Sequence, residues 1–276
     1  MKMYVEGKWV SGDASQEVLN PYDGSIVDTV PAASIDDVEK AVNSAERGFL
    51  EMKKLTAHDR YTLLMKAADL IEERKDDLAR TITLEEGKVI SEGRLEVERC
   101  LQTIIFSAEE AKRLQSEIIP LDAAPGNSGK FGFTLRVPVG IVAAISPFNF
   151  PLNLVAHKVG PALAAGNSVV LKPASDTPLS ALKLTEIMID SGFPSESIQC
   201  ITGSGSIIGN ALVANSKIRK VTFTGSQEVG ESICKSAGIK KVTMELGSNS
   251  PLVVLPDANL EKVALATTQS GFSNAG

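Results

Sequence analysis

The second half of the sequence alternates short apolar runs with stretches of helical periodicity, and no other feature restricts the fold as much. The apolar runs lack polar–apolar alternation, which indicates parallel strands buried on both faces. They are "GIVAAIS", "SVVLK", "SIQCI", "KVTFT", "KVTME" and "PLVVL". Crossover helices are predicted between them at about 152–164, 178–190, 206–213 and 226–237. This order predicts an α/β domain with a doubly wound, Rossmann-like parallel sheet.

The first half of the sequence predicts short strands followed by an N-terminal helical region. Turn residues separate apolar positions in "WVSGDASQEVLNPYDGSIVDTVPAAS", a pattern typical of short strands or a hairpin. Ser34 and Asp37 form a capping box ahead of apolar residues at helical spacing. Further helices are predicted at about 57–73, 75–86 and 89–115, and their apolar stripes are interpreted as core faces.

Composition and charge exclude several classes of protein. Hydrophobic residues make up 43% of the 276 positions and charged residues 22%, as in ordinary globular proteins. A net charge of -6 argues against a nucleic-acid partner, because such binding depends on Lys and Arg contacts to phosphates. The sequence has neither a run of about 18 apolar residues nor a signal-peptide core, so we expect no membrane association and a cytoplasmic location. Three widely separated cysteines, Cys100, Cys200 and Cys234, predict neither a disulfide framework nor a metal site.

Four of the predicted strands are followed by polar or glycine-containing motifs. These motifs are "PFNFP", "KPASDTP", "TGSQEVG" and "ELGSNSP", in chain order. Ligands of an open parallel sheet bind beyond the carboxyl ends of its strands. The sequence therefore predicts one crevice that contains the carboxamide of Asn149, the amine of Lys172, the helix start at Gly225 and the carboxylate of Glu245.

Each of these residues has a functional and an ordinary interpretation. Asn149 can donate to an oxygen that becomes negative during nucleophilic attack, or it can satisfy loop backbone. Glu245 can deprotonate a water or a thiol, or it can be a solvated carboxylate. Gly225 and Ser226 open a helix whose free amides favour a pyrophosphate. Lys172 can contact a ligand in the crevice, or it can be an ordinary surface lysine. The segment "TGSGSIIG" at residues 202–209 is either a phosphate loop or a helix-opening turn.

Taken in order and spacing, these four motifs resemble the aldehyde dehydrogenase superfamily. The resemblance covers all 276 residues and includes the "TLEEGK" helix end at residues 83–88. It implies that residues 1–276 are an N-terminal NAD(P)-binding domain, without the catalytic domain. Segments 118–122 and 131–137 resemble strands of the family's oligomerisation arm, which implies a homodimer or homotetramer at full length. The family motif N-A-G-Q-x-C places the catalytic cysteine at the third position beyond Gly276, so we expect the chain alone to be inactive.

The resemblance also implies a role for individual residues. Asn149 is expected to be the oxyanion donor, and Glu245 the general base for thioester hydrolysis. Lys172 is expected to bond the adenosine ribose, and the neutral Ser175 stands where many NAD-preferring relatives carry Glu, so the cofactor is NAD or NADP. Ser248 replaces the second glycine of the commoner "ELGG". The expected cofactor-binding positions are Ile145, Ser146, Phe148, Lys172, Ser175, Gly205, Phe223, Thr224, Gly225, Ser226, Val229, Gly230, Leu246 and Gly247.

The expected activity is oxidation of an aldehyde to a carboxylic acid through a cysteine thiohemiacetal, hydride transfer and thioester hydrolysis. Phe150, Leu154 and His157 are expected to line the aldehyde tunnel. His157 occupies a position that is Trp in relatives for apolar aldehydes and often Arg in relatives for carboxylated ones, which favours a small oxygenated aldehyde. Two alternatives stay open. One is a CoA-acylating relative, although that branch generally lacks the general-base Glu, and the other is a catalytically inactive nucleotide-binding fragment.

Overall fold

The computed structural model describes residues 1–275. As the sequence pattern predicts, an N-terminal helical region is followed by a region in which strands alternate with helices. The strands are β1 (Met3–Val5), β2 (Lys8–Val10), β3 (Ala14–Leu19), β4 (Ile26–Ala32), β5 (Ile118–Ile119), β6 (Gly132–Phe133), β7 (Ile141–Ile145), β8 (Ser168–Lys172), β9 (Ile198–Cys200), β10 (Ile218–Thr224) and β11 (Lys241–Glu245). The helices are α1 (Ile35–Met52), α2 (Ala57–Glu73), α3 (Lys75–Glu86), α4 (Ile90–Ala111), α5 (Asn153–Ala164), α6 (Leu179–Asp190), α7 (Asn210–Ala214), α8 (Gln227–Ala237) and α9 (Leu260–Gly271).

The central sheet has seven strands in the order β11-β10-β7-β8-β9-β1-β2. Strands β7 to β11 pair in parallel, and the N-terminal strands β1 and β2 extend the sheet in antiparallel fashion beyond β9. The chain proceeds from β7 outward to β9 on one side and then returns to β10 and β11 on the other. This reversal between β7 and β10 is a topological switch point, where doubly wound folds bind ligands. The predicted doubly wound parallel sheet is confirmed.

Alternate residues of the central strands enter two separate cores. Val142 and Ala144 of β7 pack into the core formed with α2 to α6, whereas Ile141 and Ala143 pack with α1, α7 and α8. The sheet is therefore covered on both faces, which explains why its strands carry apolar runs without alternation. The edge strand β11 differs, because Lys241, Val242 and Thr243 are all exposed.

Helix ends agree with the local sequence where side chains cap them. The Ser34 hydroxyl accepts from the Asp37 N–H at 3.2 Å, and an Asp37 carboxylate oxygen accepts from the Ser34 N–H at 2.9 Å. This is the predicted capping box. Helix α4 was predicted to reach about residue 115, but it ends at Ala111. Ala111 is its last buried residue, so a further turn would bury nothing to offset its ordering.

Two predicted elements differ from the structure. The "PLVVL" run at residues 251–255 is not a strand, since the parallel sheet stops at β11 and no described strand pairs with this run. Its apolar side chains are exposed. The helix predicted at 206–213 begins as a π-helical turn, Gly205–Gly209, and continues into the short α7.

The segments predicted as arm strands form a ribbon of two short strands. β5 pairs antiparallel with β6, with Ile118 opposite Phe133 and Ile119 opposite Gly132. Several large apolar side chains of this ribbon are exposed, namely Ile118, Phe131, Phe133, Leu135 and Val137. Within residues 1–275, the helices are all too short or too polar to cross a membrane.

We expect the substitution Gly48→Ala to destabilise the fold strongly. A Cβ at Gly48 of α1 would lie 1.9 Å from the carbonyl oxygen of Glu196, a backbone atom that cannot rotate away. The steric cost, about 3 kcal/mol, exceeds the gain in helix propensity of about 1 kcal/mol. Urea unfolding of the chain measures the loss. Gly271→Ala is the control, because a Cβ there meets no atom within 4 Å, and equal stability of the two variants would contradict the prediction.

Candidate functional site

A cavity of about 530 Å³ opens at the carboxyl ends of β7, β8 and β10, at the switch point of the sheet. Its walls are the loop after β7, the π-helical turn before α7 and the first turns of α8. It is lined by Ile145, Ser146, Pro147, Phe148, Lys172, Gly205, Ser206, Gly209, Asn210, Phe223, Thr224, Gly225, Ser226, Glu228, Val229, Ser232 and Ile233. Most of the predicted cofactor-binding residues therefore meet in one cavity.

Lys172 ends β8 inside this cavity, and its side chain is only 4% exposed. The ammonium group makes no hydrogen bond or ion pair with residues 1–275. A Cβ at Gly205 would lie 3.7 Å from Lys172 Nζ, so the amine lies close to the backbone of the π-helical turn. Burial lowers the pKa of Lys172 to about 8, against the opposing effect of Asp176. A buried donor without a partner is costly, so this amine is suited to a ligand with hydroxyl or anionic oxygens.

The start of α8 forms the opposite wall. Ser226 is its N-cap and accepts from the Val229 N–H at 3.4 Å, and the Gly225 N–H donates to the Glu245 carbonyl at 3.1 Å. A Cβ at Gly225 would lie 2.4 Å from Cζ of Phe223, so the turn requires glycine. Free amides and the helix dipole at such a start favour a negatively charged group.

Glu245 is the last residue of β11, the strand that pairs with β10. Its charge opposes the lowering of the pKa values of His157 and Lys158 that burial causes. Lys158 is 5% exposed, donates to Thr224 Oγ1 at 2.6 Å and has its pKa lowered to about 8. Sequence reasoning missed Lys158, because nothing in "LVAHKVG" distinguishes a buried lysine from a solvated one.

Asn149 lies in the loop between β7 and α5, with its side chain exposed. Its carboxamide forms no hydrogen bond with the described part of the chain, so it is free to donate. Its backbone carbonyl accepts two hydrogen bonds, from Lys88 Nζ at 2.7 Å and from Asn274 Nδ2 at 3.1 Å. The ordinary interpretation, in which the side chain satisfies loop backbone, is not what the structure contains.

The three residues predicted to line an aldehyde tunnel do not share one cavity. His157 lines a cavity of about 340 Å³ between α4 and α5, and its Nε2 lies 3.4 Å from Thr103 Oγ1. Phe150 precedes α5, so helical spacing does not govern it, and it lines a smaller cavity of about 110 Å³ with Arg99 and Asn274. Leu154 is half-buried on α5 and lines neither cavity.

Four predicted cofactor residues lie outside the lining of the large cavity. The Ser175 hydroxyl donates to the Gly203 carbonyl at 3.0 Å, at the base of the loop that leads to Gly205. Gly230 makes room for Leu246, since a Cβ there would lie 2.6 Å from Leu246 Cδ2. Gly247 has open space around it. Their roles toward a cofactor stay predictions.

A sequence model of the Aldehyde dehydrogenase family matches residues 9–276. The chain belongs to this family. The 3-sulfolactaldehyde dehydrogenase of Priestia megaterium is 49% identical over 274 residues, which are 99% of this chain and 57% of that protein. The lactaldehyde dehydrogenase of Methanococcus aeolicus is 42% identical, over 99% of this chain and 58% of that protein. The chain thus spans a little over half the length of these relatives of the aldehyde dehydrogenase family.

Solved structures of the family have the same fold. An NADP-dependent enzyme of E. coli superposes with a TM-score of 0.95 and 39% identity, over 100% of this chain and 57% of that one. The NADP-dependent glyceraldehyde-3-phosphate dehydrogenase of Bacillus halodurans, complexed with NADP, gives a TM-score of 0.95 and 38% identity, over 99% of this chain and 58% of that one. The predicted Rossmann-like class is confirmed by these structures as well as by the strand order.

The buried amine of Lys172 predicts that stability depends on pH in a specific direction. Its pKa is about 8 in the folded chain, against about 10.4 when unfolded. Between these values the unfolded chain binds the proton and the folded chain does not, so stability rises with pH. We expect Lys172→Met to be more stable than the wild type by about 3 kcal/mol at pH 7, with the difference vanishing near pH 11. Urea unfolding at several pH values measures it, and a difference that is constant with pH would contradict this assignment.

Proposed function

We propose that residues 1–276 form the NAD(P)-binding domain of an NAD(P)-dependent aldehyde dehydrogenase, with the catalytic domain lying outside this chain. The observation that carries the proposal is the cavity at the switch point. It combines a buried ammonium group that has no partner among residues 1–275 with a helix start suited to an anion. The loop of Asn149 forms one wall, and Glu245 ends the adjoining strand. The proposed activity is oxidation of an aldehyde to a carboxylic acid.

The chemistry of the cavity fits a nicotinamide dinucleotide. The Lys172 amine can donate to ribose hydroxyls. The start of α8 at Gly225 and Ser226 can bind the pyrophosphate through its free amides, which do not include the Gly225 N–H. Phe148, Val229 and other apolar residues offer surface to flat rings. When bound, NAD(P)+ would accept the hydride of the aldehyde carbon. The similar solved structures include the NADP-dependent enzyme of E. coli and the NADP-dependent dehydrogenase of Bacillus halodurans, which supports this choice of cofactor.

The neutral Ser175 favours tolerance of NADP as well as NAD. A carboxylate at this position would repel the 2'-phosphate of NADP, and serine removes that repulsion. Ser175 supports the loop of Gly203 next to Lys172, so its substitution would act at the ribose end of the cavity.

Asn149 and Glu245 supply the proton and charge chemistry. The free carboxamide of Asn149 donates to the aldehyde oxygen as a nucleophile adds to the carbonyl carbon and that oxygen becomes negative. The nucleophile is proposed to be the cysteine that the family motif places at the third position beyond Gly276. Addition of the thiol would give a thiohemiacetal, and loss of a hydride from its carbon to NAD(P)+ would leave a thioester. Glu245 would then accept a proton from the water that hydrolyses this thioester. In sum, aldehyde, NAD(P)+ and water become acid, NAD(P)H and a proton.

The substrate is proposed to be a small oxygenated aldehyde, such as lactaldehyde, a semialdehyde or a phosphorylated or sulfonated triose. The relatives named for 3-sulfolactaldehyde and lactaldehyde support this class. His157 would donate a hydrogen bond to the polar end of the substrate. The exposed apolar ribbon of β5 and β6 supports a homodimer or homotetramer at full length. The proposed location is the cytoplasm.

The proposal predicts that the full-length protein oxidises small polar aldehydes with NAD(P)+, while the 276-residue chain binds the cofactor without turnover. Asn149→Ala should lower kcat by about 100-fold to 1,000-fold, because one oxyanion donor is lost. Glu245→Gln should slow thioester hydrolysis and leave a burst of NAD(P)H. Steady-state and burst kinetics measure both effects. Acyl-CoA formation in the presence of CoA would favour the acylating alternative, and full-length protein without turnover would favour the inactive one.

A second prediction concerns His157. The full-length variant His157→Leu should change selectivity toward apolar aldehydes, because it removes the polar partner and adds apolar surface. The measurement is kcat/KM on a panel of polar and apolar aldehydes. Val155→Ala is a control, since Val155 lies on the same helix in the core. Unchanged selectivity in His157→Leu would remove this residue from the substrate site.

A further inference from the structure

We propose that Lys88 and Glu96 are positioning residues that hold the turn from Asn149 to Asn153 and thereby aim the Asn149 carboxamide. Neither residue lines the large cavity or contacts the Asn149 side chain. Both act on the backbone on which that side chain stands. This inference rests on the proposed role of Asn149.

Lys88 fixes the beginning of the turn. Its side chain is 1% exposed, and its Nζ donates to the backbone carbonyl of Asn149 at 2.7 Å. The same ammonium group lies 3.9 Å from the centre of the Phe150 ring. One cation therefore contacts two successive residues of the turn, which restrains both the peptide plane after Asn149 and the ring of its neighbour.

Glu96 fixes the end of the turn. Its Oε1 accepts from the backbone N–H groups of Leu152 and Asn153 at 2.9 and 3.0 Å. These amides open α5, so the carboxylate serves as a cap supplied by another helix. Its Oε2 accepts from Lys88 Nζ at 2.6 Å. The two residues thus form one rigid bridge between the two ends of the turn.

The cost of this bridge argues for a positioning role over a merely stabilising one. Both side chains are 1% exposed, and removing two charges from water costs several kcal/mol that their attraction recovers only in good geometry. Apolar residues of similar volume often stabilise a fold as well or better. The bridge supplies a fixed direction, because charge-assisted hydrogen bonds keep the turn in one conformation.

A second segment of the chain contacts the same carbonyl group that Lys88 contacts. Asn274 Nδ2 donates to the same Asn149 carbonyl at 3.1 Å, and the Asn274 N–H donates to Glu92 on the first turn of α4 at 2.8 Å. Glu96 stands one turn further along that helix. The chain just before the proposed nucleophile and the loop of the proposed oxyanion donor therefore share α4 as a common support.

The test is a double-mutant cycle in the full-length protein. Lys88→Met should lower kcat by about 10-fold to 100-fold, because a small misplacement of a catalytic group is costly. The KM for NAD(P)+ should change less than about two-fold, because the cavity walls do not include Lys88. In an Asn149→Ala background the same substitution should lower kcat by less than about three-fold, since the group that it aims is already gone. Equal effects in both backgrounds would overturn the proposal.

Two further variants keep the test decisive. Lys88→Met/Glu96→Gln leaves no buried charge unpaired, and it should show the same loss of kcat even if Lys88→Met does not fold. Lys183→Met is the matched control, because it removes an ion pair with Asp77 on the outer helices α6 and α3. It should leave kcat unchanged. A loss in Lys183→Met equal to that in Lys88→Met would make the effect general destabilisation and overturn the proposal.

Hydrogen exchange separates this proposal from the proposed function. In the 276-residue chain, Glu96→Gln should accelerate exchange of the Leu152 and Asn153 amides by about 10-fold or more, because they lose a charged acceptor. Lys183→Met should not. If the full-length wild type oxidises no aldehyde, the proposed function fails, and exchange still decides whether the bridge holds the turn. Unaltered protection of both amides in Glu96→Gln would overturn the positioning role.

Discussion

The parallel pairing of β7 with β10 is the constraint on which the rest of the molecule depends. The chain leaves β7 through α5, which packs on one face of the sheet, and it leaves β10 through α8, which packs on the other face. The helices α5 and α8 therefore diverge from the carboxyl ends of these strands and leave a cavity between them. The packing of these helices on the sheet completes the hydrophobic core and also forms the cavity for a ligand.

Three lysines are buried in the described part of the chain, and their ammonium groups differ in the partners that they have. Lys88 has a carboxylate, a carbonyl and an aromatic ring, and Lys158 has the hydroxyl of Thr224. Lys172 has no partner among the described residues. Burial of a cation is more unfavourable when the cation has fewer partners. A lysine with several partners therefore suits structural support, and a lysine without a partner suits contact with a ligand. This ranking supports the proposals that Lys88 holds the turn after Asn149 and that Lys172 contacts the cofactor.

Periodicity predicted the central sheet and nearly all helices, because burial on one or two faces of an element determines the spacing of its apolar residues. The strand-end rule predicted that Lys172 and Gly225 share a cavity, and the family resemblance supplied the other expected cofactor positions that line it. Contacts between segments that are distant in the sequence produce no such spacing. In the sequence, Lys88 between α3 and α4 and Glu96 on α4 look like ordinary charged residues, and only the fold brings them to the turn after Asn149.

The same limit explains the predictions that differ from the structure. The run at residues 251–255 has strand composition, but a strand needs a neighbour, and the described sheet ends at β11. Phe150 was expected to share a helical face with His157, but it precedes the helix and lies against Lys88. Whether both residues line one aldehyde tunnel stays a prediction. Local pattern specifies an element, while tertiary packing decides which side of it a residue occupies.

The exposed edge of β11 has a consequence for how this molecule behaves in solution. Its outer row of N–H and C=O groups has no described neighbour, and the residues that follow expose apolar side chains. An uncovered edge of this kind is a template to which a strand from any other chain can add. The tendency of the protein to self-associate at high concentration should then depend on how completely this edge is covered, and not on the free energy of unfolding of the core.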